Sequence, residues 1–432
     1  MTHRSTNSQP FSRVGSDILK LALAAAGVQG VALLALPFLQ RYFYTPEAFA
    51  DFALYSQLAG LLGAVATARM DLAVVQHKTQ LLARAALQNG LKALALTTAI
   101  SLVLALGLKW GGMEMGKVPY LWIALPLGVT SLGMGALFTA WLSRDKAFGA
   151  VAQYRAIGGT TGELLRFATA RLGHTGLIVG RVLGQWFTAL LAWRAFGKDA
   201  SPSFLPSAAN RREAWAMDKD YLRFTTPSNL LAMAANACLV LFLFECASRD
   251  FVGQVGTALA YLTAASGLLI RSVNDVFFRH LKDIAPAVLP GVYMRWALGI
   301  AALTATGCLV LFAIPTEMVT HMLGTQWSNM LPAMRWLSLW MIPWVAASSL
   351  SGIFPHLRRQ SLAFGLDVLH LILIVGWLWL NWSPLGSGSM AYDSMDILKE
   401  YACIQAGFYT LALALGWSAC LRGAKTQMPS VH

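Results

Sequence analysis

Apolar runs of about 18 to 25 residues alternate with short polar and charged clusters along the whole chain. That length suits one helical crossing of a bilayer at roughly 1.5 Å per residue. The first run extends from Leu21 to Leu39, and others follow at roughly 49–69, 88–108, 119–142, 148–170 and 174–196. After a polar stretch come runs at roughly 227–247, 253–277, 292–315, 329–350, 360–380 and 401–421. The first run is too long for the apolar core of a signal peptide, and the next follows within about ten residues, so it reads as an uncleaved span. The pattern predicts an all-α polytopic membrane protein of about twelve transmembrane helices in two six-helix lobes. The divide is the connection Lys198–Arg223, with its Ser201-Pro202-Ser203 stretch and its Arg211–Arg212 pair. It gives an N-terminal lobe over 1–197, a cytoplasmic linker over 198–223 and a C-terminal lobe over 224–432.

Hydropathy alone does not identify the fifth span, which holds Arg155, Glu163 and Arg166 with Gly158, Gly159 and Gly162 among them. Charge placement settles the expectation. With twelve spans and both termini cytoplasmic, the cytoplasmic segments carry about three times as many Lys and Arg as the opposite ones. Removing the fifth span would put every later basic loop on the wrong side.

Composition agrees with this picture. Only 12% of residues are charged and 56% are apolar, with a mean hydropathy of +0.55, whereas soluble domains are about 25% charged. The net charge of +13 is what retention of Lys and Arg on the cytoplasmic side produces. No basic block with interleaved aromatics accompanies it, so nucleic acid is not an expected partner. The five cysteines, Cys238, Cys246, Cys308, Cys403 and Cys420, form no CxxC and read as small buried side chains.

Motifs for chemistry are lacking. The chain contains no GxxxxGK[ST], HExxH or GxSxG, and its eight histidines are scattered. No metal site, no cofactor and no enzymatic activity are expected. Polar residues inside the spans are more informative, because a charge in the hydrocarbon layer is costly unless it meets a partner or a wet cavity. Arg155, Arg166, Arg181 and Gln185 are the candidate cavity residues of the first half. An excess of guanidinium groups there suits an anionic substrate, whose oxygens match their forked geometry. Internal pairing, Arg155–Glu163 or Glu163–Arg166, is the competing reading. Glu163, Asp51 and Asp367 are candidates for ion coupling or ion pairing. Arg69, Asp71, Arg271 and Asp275 read as a cytoplasmic gate or as topological anchors.

The two halves echo each other faintly. Spans two and eight begin at Phe49 and Phe251, pass through small residues, and end with Arg69 and Asp71 or Arg271 and Asp275. Paired bundles of this kind fit the plan of an alternating-access carrier.

Three stretches carry a family resemblance. Tyr44–Val75, with its exit Arg69-Met70-Asp71-Leu72-Ala73-Val74-Val75, resembles the first hairpin of the bacterial polysaccharide and O-antigen flippases. Gly176–Trp193, with Gly180, Gly184 and Gln185, is similar to that family's sixth span, and Tyr221–Leu243 to the segment opening its second half. These are lipid-linked oligosaccharide exporters related to the drug-extruding antiporters. The resemblance implies a flippase moving an undecaprenyl-pyrophosphate-linked oligosaccharide across the bacterial inner membrane for surface polysaccharide such as O-antigen, lipopolysaccharide or exopolysaccharide. It also implies arginines lining a central cavity between the lobes, where Arg155 and Arg181 would meet the anionic headgroup. The implied partners are that lipid-linked substrate, membrane lipids, and a glycan polymerase with its chain-length machinery. The alternative expectation is a cation-coupled antiporter for small amphipathic or cationic compounds, which would need an embedded carboxylate.

Overall fold

Long helices fall on the predicted apolar runs, with one run broken. The computed structural model describes residues 11–197, 207–281, 284–357, 359–382 and 394–426, and no strand occurs among them. The first half holds α1 (Phe11–Tyr42), α2 (Pro46–Gly63), α3 (Met70–Gln76), α4 (Gln80–Trp110), α5 (Leu121–Arg144), α6 (Phe148–Ala168) and α7 (Gly176–Gly197). Next come α8 (Ala208–Asp220), a π-helical turn at Tyr221–Thr225, α9 (Thr226–Cys246), α10 (Arg249–His280) and α11 (Leu289–Ala313). The short α12 (Thr316–Leu323) and α14 (Ile353–His356) flank α13 (Met330–Ser349), before α15 (Gln360–Trp382) and α16 (Ser394–Thr426). Eight helical stretches among the described residues are long and apolar enough to cross a membrane, the α6–α7 run Phe148–Phe196 counting as one.

Burial separates lipid-facing helices from central ones. The most apolar windows of α4 and α11 have a mean hydropathy of 2.0, yet only 17% of each is buried. Leu96 and Val103 on α4 and Leu303 and Leu309 on α11 point outward. A water-facing surface would not tolerate such stripes, and hydrocarbon does. By contrast, half of the α5 window is buried. The chain is an all-α polytopic membrane protein.

Two compact units are present. The first comprises the chain up to Leu36, Leu62–Gly107 and Tyr120–Thr226. Its core gathers Met70, Val74, Leu87, Leu137 and Trp141, beside a second cluster of Phe138, Leu142, Val151, Tyr154 and Ala192. Helices α6 and α7 approach through glycines: a Cβ on Gly184 would lie 2.6 Å from Gly162 Cα, and one on Gly158 would lie 2.2 Å from Thr188 Oγ1. Small residues at such spacings let transmembrane backbones meet.

The second unit comprises Pro37–Leu61, Leu108–Pro119 and the chain from Pro227 onward. Its largest cluster is built on Phe277, Tyr293, Val345, Ala346, Leu350 and Phe408. Near their starts, α2 and α10 interlock so closely that a Cβ on Gly253 would lie 1.7 Å from Pro46 O. Charge reinforces this joint. Arg249 donates to Asp51 Oδ1 at 3.0 Å and to Glu114 O at 3.3 Å. The Glu245 carboxylate accepts from the backbone N–H of Glu114 (3.2 Å) and of Met115 (2.9 Å). On the same turn the partly exposed Glu114 carboxyl is held below the ordinary range chiefly by a hydrogen bond from Lys117.

One predicted span differs from the structure. The run 49–69 is not a continuous helix, because α2 stops at Gly63 and the backbone turns through left-handed Ala68 (φ 49°) and Arg69 (φ 59°). Two such residues cost about 1–2 kcal/mol each. Successive i→i+3 hydrogen bonds, among them Ala66 N to Gly63 O (3.3 Å) and Met70 N to Thr67 O (3.0 Å), carry the turn. Its counterpart in the second half, α10, runs unbroken from Arg249 to His280.

Candidate functional site

The break after α2 delivers Asp71, on the first turn of α3, to a cavity of about 570 Å³ within the first unit. Helical periodicity supplies the other walls. Ser131, Gly135 and Thr139 lie four residues apart on α5; Arg155, Gly158, Gly159 and Gly162 share a face of α6; Arg181, Gly184, Gln185 and Thr188 share one on α7. The same glycines that let α6 meet α7 leave room beside their two guanidinium groups.

The charge of the cavity is positive. Arg155 and Arg181 line it, are exposed, and have no hydrogen-bond or ion-pair partner among the described residues. Asp71, which accepts a 2.8 Å hydrogen bond from Thr67 Oγ1, is the one carboxylate on its wall. Neutral polar groups fill in between. Thr139 Oγ1 and Tyr154 OH are hydrogen-bonded, and Ser131 Oγ lies 3.5 Å from Gln185 Oε1. Two charged forks, hydroxyls and an amide around a wide void can hold an oxyanion attached to a larger polar group.

Arg166 lies elsewhere. It donates to Glu163 Oε2 at 2.9 Å, one helical turn away, and both residues are buried and off the cavity wall. Glu163 is therefore paired with Arg166 and not with Arg155. Asp51, 3% exposed, pairs with Arg249 in the second unit. Asp367, also in the second unit, accepts a 2.7 Å hydrogen bond from Ser228. Nearby on α15, buried His370 lies 2.8 Å from Gln405 and stacks on Phe408. Arg69 opens α3 in the left-handed conformation with its Nε buried and unbonded, whereas Arg271 on α10 is exposed. Asn274, beside Arg271, reaches Ser348 O at 3.4 Å. The side chain of Asp275 lies outside the described residues.

The chain is similar in fold to solved membrane transporters. It superposes on an inward-facing multidrug resistance MATE family transporter of the MOP superfamily over 94% of its length and 96% of the other, with a TM-score of 0.63 at 10% identity. It matches the lipid II flippase MurJ, in an inward closed conformation, over 94% of this chain and 90% of that one, with a TM-score of 0.69 at 12% identity. A MATE protein in a bent conformation gives a TM-score of 0.52 at 13% identity, covering 95% and 96% of the two chains. No protein-family model and no curated protein sequence matches the chain. Among the described residues no group of three or more His, Cys, Asp and Glu is placed to hold a metal ion.

The linker also contains structure that sequence patterning missed. Helix α8 is N-capped by Ser207, whose Oγ accepts from Asn210 N at 3.2 Å. It is tied to the first unit by the buried pair His77 Nε2–Asp218 Oδ2 at 3.0 Å and by Asn89 Nδ2 donating to Arg211 O at 3.1 Å. Replacing Asp218 with Ala should leave the imbedded imidazole unsatisfied, a cost of about 1–3 kcal/mol. Limited proteolysis within α8 should then quicken roughly tenfold or more if that cost falls on local opening, while the protein still inserts. Unchanged cleavage would mean that the pair does not hold the helix.

Proposed function

We propose that the chain is a flippase that translocates a lipid-linked, pyrophosphate-bearing oligosaccharide by alternating access. The observation that carries this reading is the charge of the first-unit cavity: Arg155 and Arg181 against Asp71, with hydroxyl and amide groups between them. In this reading the pyrophosphate meets the two guanidinium groups, the sugars occupy the polar remainder, and the prenyl tail stays in lipid. In this reading the spans before and after α8, with both termini and α8 cytoplasmic, form the two lobes that exchange access. The solved flippase of the same fold supports this reading.

A second reading, cation-coupled antiport of small amphipathic or cationic compounds, is favoured by the multidrug transporters of the same fold. It would need a membrane-embedded carboxylate, and Asp367, half-buried and accepting a hydrogen bond from the Ser228 hydroxyl, is the best placed. Cavity charge supports the anionic headgroup, since a cation would face Arg155 and Arg181.

Purified protein in proteoliposomes separates them. A fluorescent lipid-linked oligosaccharide diphosphate should equilibrate between leaflets faster than in protein-free vesicles. A cationic dye should not be driven by an imposed sodium or proton gradient. Gradient-driven dye transport abolished by Asp367→Asn, with no movement of the lipid-linked glycan, would overturn the flippase reading.

A further inference from the structure

The strongest unassigned feature lies in the second unit, where the start of α15 meets the last turns of α16. A crevice of about 270 Å³ opens there, lined by Arg359, Ser361, Leu362, Leu415, Ala419 and Arg422. Half of the lining is polar and bears two guanidinium groups, and half is apolar. Its volume falls at or below the low end of the roughly 300–1,000 Å³ typical of small-molecule clefts. That leaves space for a phosphate with its glycerol but not for a chain of sugars.

Backbone geometry adds to the anion preference. The carbonyl of Arg359 accepts from Leu362 N (3.1 Å) and Ala363 N (3.3 Å), so Arg359 stands at the start of α15. The first N–H groups of a helix lack intrahelical acceptors and favour negative charge. The Arg359 side chain has no hydrogen-bond or ion-pair partner among the described residues. Arg422 is steadied by a 3.1 Å hydrogen bond from its Nη2 to Ser418 Oγ.

The stretches of chain that frame the crevice are basic. No Asp or Glu occurs between Glu317 and Asp367, or after Glu400, while Arg358, Arg359, Arg422 and Lys425 fall in those stretches. These are cytoplasmic positions in the twelve-span layout, where the inner leaflet carries anionic lipid. Around the crevice the helices turn apolar faces outward: Phe364, one turn along α15 from Ser361, and Trp417 and Leu421 on α16 are exposed.

We infer that this crevice binds the phosphate of an anionic phospholipid of the inner leaflet, between Arg359 and Arg422, with the acyl chains lying on the apolar faces of α15 and α16. A basic pocket between transmembrane helices on the cytoplasmic side is the arrangement that recognises such headgroups. The apolar half of the lining distinguishes a lipid from a free anion. The site is separate from the first-unit cavity and does not depend on what that cavity carries.

Native mass spectrometry of the full-length protein, purified from membranes holding phosphatidylglycerol and phosphatidylethanolamine, tests this. The wild type should retain phosphatidylglycerol selectively. Arg359→Gln with Arg422→Gln should lower that retention about tenfold, since each arginine contributes roughly fourfold or more, without changing the retained phosphatidylethanolamine. Arg194→Gln with Arg223→Gln, an equal loss of charge on exposed residues of the first unit, should behave as wild type, and millimolar inorganic phosphate should not displace the lipid. Undiminished retention in the first double variant, an equal loss in the second, or displacement by phosphate alone would each overturn the proposal. Should the first double variant fail to insert, Ala419→Trp decides, because it fills the crevice and keeps both guanidinium groups. Loss of the lipid is expected from it, and wild-type retention would overturn the proposal.

Discussion

Replacing Arg155 or Arg181 with alanine is expected to cut glycan export per inserted molecule by roughly ten- to hundredfold, the equivalent of one charged hydrogen-bonding contact at about 1.5–3 kcal/mol. Both guanidinium groups face the same void, and neither is engaged by another side chain among the described residues. Their removal should therefore leave the fold intact. Lysine at either position should restore only part of the activity, since it keeps the charge but loses the two-pronged geometry that matches a pyrophosphate. Glu163→Gln supplies the contrast. Glu163 is buried against Arg166, so weakening that pair should lower the amount of inserted protein while export per molecule holds. Surface glycan normalised to inserted protein separates the cases. Wild-type export per molecule in both arginine variants would reject the substrate role.

Gly253→Ala is expected to give the largest loss of stability from a single methyl group. The added Cβ would fall 1.7 Å from Pro46 O and 2.5 Å from Pro46 C. These are backbone atoms, so no rotamer change relieves the clash and α2 must move away from α10. Overpacking of this kind costs about 1–3 kcal/mol or more, and in a protein of this size the melting temperature should fall by roughly 1–3 °C. Arg249 and Asp51 sit at the same joint, so their ion pair should loosen with it. Gly267 on the same helix is the control, because nothing lies within 4 Å of its added Cβ. There alanine should be neutral or slightly stabilising through helix propensity, worth about 1 kcal/mol at most. Equal melting of the two variants would contradict the close α2–α10 joint.

What was legible in the sequence follows from where each signal resides. Apolar run length located the long helices except over 49–69, where α2 stops at Gly63, because the bilayer dictates length whatever the neighbours are. The Glu163–Arg166 pair was readable as one of two pairings, since residues three apart share a helical face; choosing it over Arg155–Glu163 took coordinates. Arg155, Arg181 and Gln185 stood out as polar groups within spans, and they do line one cavity. Their neighbours Ser131, Thr139 and Thr188 did not stand out, because hydroxyls are common in transmembrane helices. The stripe Ser131, Gly135, Thr139 was nonetheless present at helical spacing, and matching it to the glycine-rich face of α6 would have found the α5 wall.

Other features were beyond local reading. The turn at Ala68 and Arg69 occurs in an alanine-rich stretch with good helix propensity, so tertiary packing alone imposes its left-handed residues. That turn is why Asp71 reaches the cavity when its position in the chain suggested a gate or anchor. His77 and Asp218 are 141 residues apart, and no periodicity relates them. Asp51 was a candidate for ion coupling because it is an acid within a span; its partner Arg249, 198 residues on, is visible only in the folded chain.

Direct binding tests the central claim that the first-unit cavity receives an anionic headgroup. The measurement is the affinity of the purified protein for a short-chain prenyl diphosphate, by titration calorimetry, in wild type and in Arg155→Ala with Arg181→Ala. Saturable binding by the wild type, weakened at least about a hundredfold when both guanidinium groups are gone, is the predicted result. Equal affinity in the two proteins, or no binding of the diphosphate alongside saturable binding of a lipophilic cation, would contradict it.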